Sequence, residues 1–315
     1  MEILDRLLSF VSAMPSTAIQ GLIWGIMAIG VYITYKILDV ADLTVDGSIV
    51  TGMAVCAVSV EVAKLPVWLG IVLAMIAGMA AGLITGLIHT LLGIPAILAG
   101  ILTQLILWSL NLQIMSGKSS TAYNANRIFF ISTRDDIPWI SYRTIGFLVL
   151  IVLVVVIALY WFFGTELGAS IRATGCNPIM SCAQGINNNR NKVIGLVLSN
   201  GIVALSGACL SFLQGSANIN AGRGAIVTGL AAVVIAESLF MKLTKSNFAL
   251  KLLSVAVGGV IYYLVYQFVV SFKLLPSNYL KMLSAVIVAV FLAIPYLKKK
   301  YFSKIGKKKE GKKHA

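Results

Sequence analysis

Long apolar segments alternate with short polar segments along almost the whole chain. A helix needs about 20 apolar residues to cross a bilayer, and most of these segments approach that length. The pattern predicts an all-α, polytopic membrane protein with about nine spans. The predicted spans are Thr17–Leu38, Ser48–Val62, Val67–Leu91, Pro95–Ile114, Tyr142–Phe163, Val193–Leu213, Ala225–Phe240, Phe248–Val270 and Tyr279–Tyr296.

The second and seventh spans, Ser48–Val62 and Ala225–Phe240, are short for full crossings. Broken or half-length helices are tolerated at membrane depth only where they are buried in protein. We therefore expect both helices inside the bundle. The first residues, Met1–Met14, mix charged and apolar side chains, and they predict a short amphipathic helix (residues 1–16) on the membrane surface.

An internal repeat opens both short spans. Gly47–Ala54 reads GSIVTGMA and Gly224–Ala231 reads GAIVTGLA, so six of eight positions are identical. The two spans are five apart in chain order and therefore point in opposite directions. This arrangement is typical of inverted-repeat transporters. The alternative is a chance match between two apolar helices.

Composition supports one membrane domain over residues 1–297. Hydrophobic residues make up 59% of the chain and charged residues only 11%, against about 25% charged in soluble domains. The net charge is +14, and nine lysines lie between Lys298 and Lys313. The rest of the chain is too apolar to build a nucleic-acid face. We therefore interpret residues 298–315 as a basic cytoplasmic tail that can contact anionic lipid.

The distribution of Lys and Arg predicts the orientation. Cytoplasmic loops carry an excess of these residues, which places the tail inside the cell. Counting back over the spans puts the 164–192 and 241–247 connections inside as well, and these inside segments together with Lys251 carry a net charge of +13. Nine spans then place the N-terminus outside.

The longest inside connection, residues 164–192, predicts two short helices. The first covers Thr165–Thr174, and the second begins at Pro178 with Asn177 as its N-cap. Gly185 ends the second helix. This helix pair either docks on a partner or lies as an ordinary loop on the lipid headgroups.

Catalytic and metal chemistry finds little support in the sequence. No GxxxxGK[ST] phosphate loop occurs, and the only histidines are His89 and His314. The four cysteines form no CxxC pair, so neither a disulfide framework nor a metal site is expected. The chain is therefore not expected to be an enzyme.

The 164–192 connection resembles the cytoplasmic coupling region of ATP-binding-cassette importer permeases of the ribose and branched-chain amino-acid type. The similarity covers roughly residues 17–297 and includes Asp42–Ser48, Ile94–Gly100, Ala204–Ala208 and Gly229–Glu237. With Asp46, the Thr44–Ser48 segment looks nearest to a subfamily linked to tryptophan or tyrosine uptake. The matching positions of the coupling region are Thr165, Gly168, Arg172, Ala173, Gly175, Asn177, Ala183, Gly185, Ile186, Asn187 and Lys192.

The resemblance implies a multi-pass permease of the bacterial inner membrane that works as a homodimer. A cytoplasmic ATPase dimer would bind residues 165–187, including Glu166, and would carry the ATP and Mg²⁺, so this chain is expected to hold no cofactor. An external solute-binding protein would deliver the substrate. An amino acid, preferably aromatic, is expected ahead of a nucleoside or a sugar. The alternative from another class is an ion-coupled secondary transporter.

A second group of candidates could line the pathway or gate it. Asp46 could instead cap its own short helix, and Arg223 could contact the binding protein, a substrate carboxylate or only solvent. Trp108 and Tyr123 are either interfacial aromatics or contacts for an aromatic ligand. The pathway and gate candidates are Asp42, Asp46, Gly47, Ser48, Thr51, Arg223, Gly224 and Thr228.

Overall fold

The structure is a computed structural model that describes residues 2–122, 138–240 and 247–272, with scattered helical positions between 282 and 293. The described part is helical except for one pair of three-residue strands. A π-helical turn, Ile33–Ile37, follows the first helix. The elements are α1 Glu2–Tyr32, α2 Val45–Glu61, α3 Val67–Leu91, α4 Ala96–Ile114, β1 Ser120–Ala122, α5 Pro138–Gly164, α6 Glu166–Cys176, α7 Pro178–Ala183, α8 Asn188–Gln214, β2 Ser216–Asn218, α9 Ala225–Phe240 and α10 Phe248–Ser271.

Six of these helices are long and apolar enough to cross a membrane: Phe10–Ile37, Val67–Leu91, Ala96–Ile114, Tyr142–Gly164, Asn188–Gln214 and Phe248–Ser271. The described residues therefore support six of the nine predicted spans, and the count of nine is not confirmed. The helices α2 and α9 are present but have only 17 and 16 residues. The ninth predicted span, Tyr279–Tyr296, and the basic tail lie almost entirely outside the described residues.

The first helix differs from its prediction. A surface helix over residues 1–16 is predicted separately from the first span at Thr17, whereas α1 runs unbroken through Pro15 and into that span. In the turn around Pro15, the hydroxyls of Ser16 and Thr17 both donate to the Ala13 carbonyl, at 2.9 and 2.8 Å. Residues 2–16 and the first span thus form one helix.

The core lies around α1 and α8. In their apolar windows 78% and 72% of residues are buried, against 22% for α5 and 28% for α4. Side chains from α1, α2 and α8, including Met27, Ile49 and Phe212, share one apolar cluster. The outer helices keep wide apolar surfaces exposed, which suits lipid or another subunit.

Glycine allows α3 to approach α8 closely. A Cβ at Gly78 would overlap the carbonyl of Asn200, and one at Gly82 would overlap the carbonyl of Leu196. Small residues at four-residue spacing favour such close packing of membrane helices.

The two strands join the ends of α4 and α8. β1 and β2 pair antiparallel, with Ser120 opposite Asn218 and Ala122 opposite Ser216. The sequence pattern does not predict this pairing, because three-residue segments are too short to show the alternation of polar and apolar residues that marks a strand. Its effect is to hold the connection between β2 and α9 beside the end of α4.

Candidate functional site

The start of α2 lies inside the bundle and is held by a buried polar network. Asp42 precedes the helix and is 3% exposed. Its carboxylate accepts from the Thr44 N–H at 2.9 Å and from Asn200 Nδ2 at 2.7 Å. The Asn200 Oδ1 in turn accepts from the Ser48 hydroxyl at 2.6 Å. A carboxylate removed from water needs such donors, so Asn200 fixes the broken start of α2.

A second polar contact ties the same start to α3. The hydroxyls of Thr44 and Thr85 lie 2.8 Å apart, and both residues are buried. On α4, a Cβ at Gly100 would lie 2.8 Å from the backbone nitrogen of Leu43. The non-helical connection before α2 is therefore packed between α3, α4 and α8.

Asp46 joins the starts of the two short helices. Its carboxylate accepts from the backbone N–H groups of Gly224, at 3.0 Å, and Ile226, at 2.9 Å. Both groups belong to the first turn of α9, where backbone N–H groups lack partners within the helix. Asp46 therefore caps α9 across 180 residues of sequence, and the idea that it caps its own helix is wrong.

From this meeting point α9 runs toward the coupling segment. Near its end, Glu237 forms an ion pair with Lys36 of the π-helical turn, at 2.9 Å. The carbonyl of Ile37, in the same turn, lies against Gly175 of α6. The end of α9 and the 164–192 connection thus lie at the same end of the bundle.

In contrast, α2 runs away from that end. Its last turn reaches the start of α3, where a Cβ at Gly70 would lie 2.9 Å from Val60. The other end of α3 lies beside the start of α8, since a Cβ at Gly86 would lie 3.0 Å from Val193. Because α8 begins directly after the coupling segment, α2 and α9 extend from their meeting point toward opposite ends.

A cavity of about 270 Å³ opens where the two short helices meet. It lies between α2, α4 and the connection from β2 to α9. Polar and apolar lining residues both come from α2, from α4 and from the connection between β2 and α9. The lining residues are Asp46, Gly47, Val50, Gln104, Leu105, Trp108, Asn111, Ile219 and Arg223.

The cavity contains three of the eight predicted pathway residues, namely Asp46, Gly47 and Arg223. Gly224 and Thr228 lie on the capped turn of α9 without lining the cavity, and Gly224 has a positive φ of 83°. The others, Asp42, Ser48 and Thr51, are buried side chains in the packing around α2.

Thr51 donates to the carbonyl of Gly47 at 3.0 Å. It therefore bonds back to its own helix, as hydroxyl side chains within helices often do. Trp108 lines the cavity, whereas Tyr123 lies outside the described residues.

Sequence analysis missed Gln104 and Asn111 as cavity residues. The available signal was their polarity within an otherwise apolar span, together with their seven-residue spacing, which places both on one face of α4. Trp108 lies between them at four-residue spacing from Gln104. Which partners they face depends on the fold and is not visible in α4 alone.

The coupling segment has the local structure that its sequence predicts. Thr165 caps α6 by accepting from the Gly168 N–H at 3.4 Å. Asn177 caps α7 by accepting from the Met180 N–H at 3.1 Å, directly before Pro178 at the first helical position. Gly185 follows with φ 79°.

The first coupling helix is fixed to the membrane body at several points. Arg172 donates to the carbonyl of Phe163, at 2.9 Å, at the end of α5. Thr174 accepts from Asn191 Nδ2 at 2.8 Å, which ties α6 to α8. Gly175 lies directly against the π-helical turn, as described above. Movement of α6 would therefore be passed to three helices at once.

The second coupling helix, α7, instead exposes apolar side chains on the surface of the protein. Ile179 is 84% exposed and Met180 is 58% exposed. Leu167, at the start of α6, is also exposed. Asn187 caps α8 by accepting from the Arg190 N–H at 3.1 Å. The remaining predicted coupling residues lie on the exposed or half-buried surface of the segment: Glu166, Ala173, Ala183 and Ile186.

Comparison with known proteins places this arrangement among transport permeases. Residues 14–294 match the family described as the permease component of branched-chain amino acid transport systems. A tyrosine transport system permease protein of Clostridioides difficile (strain R20291) is 35% identical over 282 residues, which cover 90% of this chain and 91% of the relative. An uncharacterized protein of Rickettsia prowazekii (strain Madrid E) is 29% identical over 248 residues, covering 78% and 84% of the two chains. No solved structure matches the chain significantly.

Proposed function

The chain belongs to the family of permease components of branched-chain amino acid transport systems, and we propose that it forms the substrate pathway of an ATP-binding-cassette importer. Members of this family are multi-pass membrane transport subunits and not enzymes. In the proposed complex, two copies of this chain enclose the pathway. The energy comes from a separate ATPase dimer that binds ATP and Mg²⁺.

The single observation that carries this proposal is the architecture of the coupling segment. Its α6 is fastened to α5 and α8 through Arg172 and Thr174. Its α7 leaves Ile179 and Met180 exposed at the end of the bundle. Exposed apolar side chains on a rigid projection are typical of a docking surface. We assign this surface to the ATPase, with Glu166 and the segment from 165 to 187 in its groove.

The arrangement of α2 and α9 supports an alternating-access pathway built on an inverted repeat. Both helices start in the interior, at the Asp46 contact, and extend toward opposite ends. Repeats of this kind place the substrate route at the interface between the halves. In this proposal the N-terminus is external, the basic tail is cytoplasmic, and an external solute-binding protein delivers the substrate.

The substrate is proposed to be an amino acid with an aromatic side chain. The tyrosine permease of Clostridioides difficile supports this class, because the similarity to it extends over nine-tenths of both chains. A nucleoside or sugar importer of the same class is the alternative that a substrate test must separate.

Coupling is tested by placing bulk at the contact between α6 and the π-helical turn. In the reconstituted importer, Gly175→Trp should abolish the ATPase activity that is stimulated by loaded binding protein, since a side chain there overlaps the Ile37 carbonyl. The matched control is Gly164→Trp, because a Cβ at Gly164 meets no atom within 4 Å. Membrane insertion should be the same in both. Stimulation that survives Gly175→Trp would contradict the proposal.

The role of Arg172 is tested by charge reversal. Arg172→Glu removes the donor to Phe163 and places an acid at the surface that meets the ATPase, so stimulated ATPase activity should fall at least tenfold. Co-purification with the ATPase gives an independent measurement. Transport and co-purification at wild-type level would argue against the assigned interface.

Substrate class is tested on the binding protein that cooperates with this chain. Thermal-shift measurements against amino acids, nucleosides and sugars should show stabilisation by tyrosine, tryptophan or phenylalanine. Stabilisation by ribose or nucleosides alone would exclude the amino-acid assignment. If uptake is driven by an ion gradient and needs no ATPase, the chain is instead a secondary transporter.

A further inference from the structure

The cavity at the meeting point of α2 and α9 contains chemistry that the coupling mechanism does not use. It lies toward the end of the bundle away from the coupling segment, because α4 ends beside β1 and the β2–α9 connection lies there. In the proposed orientation this is the side from which the binding protein releases substrate. A volume of about 270 Å³ suits a small solute.

Asn111 supplies an unused acceptor at this cavity. Its side chain is fully buried, and its Nδ2 faces the carbonyl of Gly47 at 3.5 Å. Because that carbonyl accepts only, the nitrogen must point toward it, and the oxygen points elsewhere. The Asn111 Oδ1 has no hydrogen-bond partner in the described part of the chain. Buried amide oxygens are rarely left without a donor, so this oxygen is available to an N–H group of a ligand that reaches the cavity wall.

Arg223 supplies a cation at the same cavity. It is exposed, and it has no ion pair with an acid among the described residues. The acid that shares the cavity is Asp46, and its two oxygens already accept from Gly224 and Ile226. A guanidinium with its donors available binds carboxylates in a bidentate manner. Arg223 is therefore the residue suited to an anionic group of the ligand.

Trp108 supplies an aromatic wall between these polar groups. The indole is 47% exposed although it lies within α4. Leu105 and Val50 add apolar surface beside it. Aromatic rings associate through stacked or edge-to-face contacts, so an aromatic side chain of a ligand would gain more here than an aliphatic or sugar group.

We propose that this cavity is a binding site for a free aromatic α-amino acid within the permease itself. Arg223 binds the α-carboxylate, Asn111 Oδ1 accepts from the α-ammonium, and Trp108 contacts the side chain. The inference rests on the proposed function, since it gives the transported amino acid an intermediate binding site between the binding protein and the cytoplasm. A site with all three groups also rejects nucleosides and sugars, which lack the charged pair.

The test uses the full-length chain in lipid nanodiscs without ATPase or binding protein. Equilibrium binding is measured for radiolabelled L-tyrosine, for tyramine, which lacks the carboxylate, and for 3-(4-hydroxyphenyl)propionate, which lacks the ammonium. Arg223→Gln should raise the Kd for L-tyrosine about tenfold or more, as expected for loss of a charge-assisted hydrogen bond. It should leave the weaker binding of tyramine unchanged. Lys64→Gln removes an exposed positive charge elsewhere and should bind L-tyrosine normally.

Asn111 is tested with the complementary ligand. Asn111→Leu should weaken L-tyrosine binding about tenfold and leave 3-(4-hydroxyphenyl)propionate unaffected. Because Arg223 is exposed, its variant tests the site even if Asn111→Leu folds poorly. Binding of L-tyrosine that is equal in Arg223→Gln and the wild-type chain would overturn the proposal. So would the absence of L-tyrosine binding to the wild-type chain.

An experiment can contradict the cavity proposal without contradicting the importer assignment. If the complete importer takes up L-tyrosine while the isolated permease does not bind it, only the cavity proposal is overturned. If no amino acid is taken up by the complete importer, the proposed substrate class fails as well. Uptake of L-tyrosine that Arg223→Gln reduces while Lys64→Gln does not would support both.

Discussion

Asn200 is the residue on which the buried start of α2 depends. A single side chain donates to Asp42 and accepts from Ser48, on either side of the helix start. No other residue connects these two positions among the described hydrogen bonds. The position is therefore more sensitive to substitution than its neutral side chain suggests.

We predict that Asn200→Ala destabilises the permease by about 2–3 kcal/mol, because it leaves a buried carboxylate oxygen and a buried hydroxyl without a partner. The measurement is thermal unfolding of the purified chain in detergent. Asn189→Ala is the control, since Asn189 is an exposed residue in the first turn of the same helix. Equal melting temperatures for the two variants would show that the network contributes little.

Residue-level prediction from sequence succeeded where the interaction is local and failed where it is not. The predicted cap by Asn177 is local, because its side chain reaches a backbone N–H three residues away. The contact of Asp46 joins positions about 180 residues apart, and nothing near Asp46 in the sequence specifies it. For the same reason, the positions of Asn111 and Gln104 in the cavity were not predicted. Their polarity is evident in the sequence, but their neighbours in the cavity belong to other elements.

At the scale of elements, the close packing of α3 against α8 depends on the glycine spacing of α3. We predict that Gly82→Leu prevents correct folding, with a cost of about 3 kcal/mol or more, because its side chain would overlap the backbone of α8 at Leu196. Gly146→Leu, in α5, is the matched control, since no atom lies within 4 Å of a Cβ there. Fluorescence size-exclusion chromatography of tagged chains measures the folded fraction. A monodisperse Gly82→Leu protein at control yield would refute the close packing.

The second prediction at this scale concerns the cap that one short helix provides for the other. Asp46→Ala should cost about 1 kcal/mol and should speed amide hydrogen exchange mainly in the first turn of α9, residues 224–230. Asn187→Ala removes a cap of α8 and should affect residues 188–192 instead. Hydrogen-exchange mass spectrometry resolves the two regions. Faster exchange within α2 alone would mean that Asp46 serves its own helix after all.

Helices were predicted more reliably than their relation to the bilayer. Hydropathy places α3 and α9 at their observed bounds, Val67–Leu91 and Ala225–Phe240, because each is a predominantly apolar run, preceded by Pro66 for α3 and by Gly224 for α9. The joining of residues 2–16 to the first span was not predicted, because the charged residues Glu2, Asp5 and Arg6 set this segment apart from the apolar run that follows. The β1–β2 pair was also missed, since each strand has only three residues.

On the scale of the whole molecule, contacts connect the coupling segment to the cavity. Gly175 of α6 touches the π-helical turn, that turn holds the end of α9 through Lys36 and Glu237, and the start of α9 is held by Asp46 at the cavity. A rigid α9 would therefore carry a displacement of the coupling segment to the cavity. Spatial continuity alone does not establish coupling, so the connection needs a test that separates it from simple stability.

The Lys36–Glu237 ion pair provides that test. Both side chains are partly exposed, at 48% and 40%, and exposed pairs contribute at most about 1 kcal/mol to stability. Reversing one charge, in Lys36→Glu or Glu237→Lys, should therefore change the melting temperature little. It should nevertheless lower substrate-stimulated transport several-fold, because α9 then no longer follows the π-helical turn. The double variant restores an attractive pair with reversed charges and should recover transport. If the double variant remains as impaired as the singles, or if the singles transport normally, α9 does not link the coupling segment to the cavity through this pair.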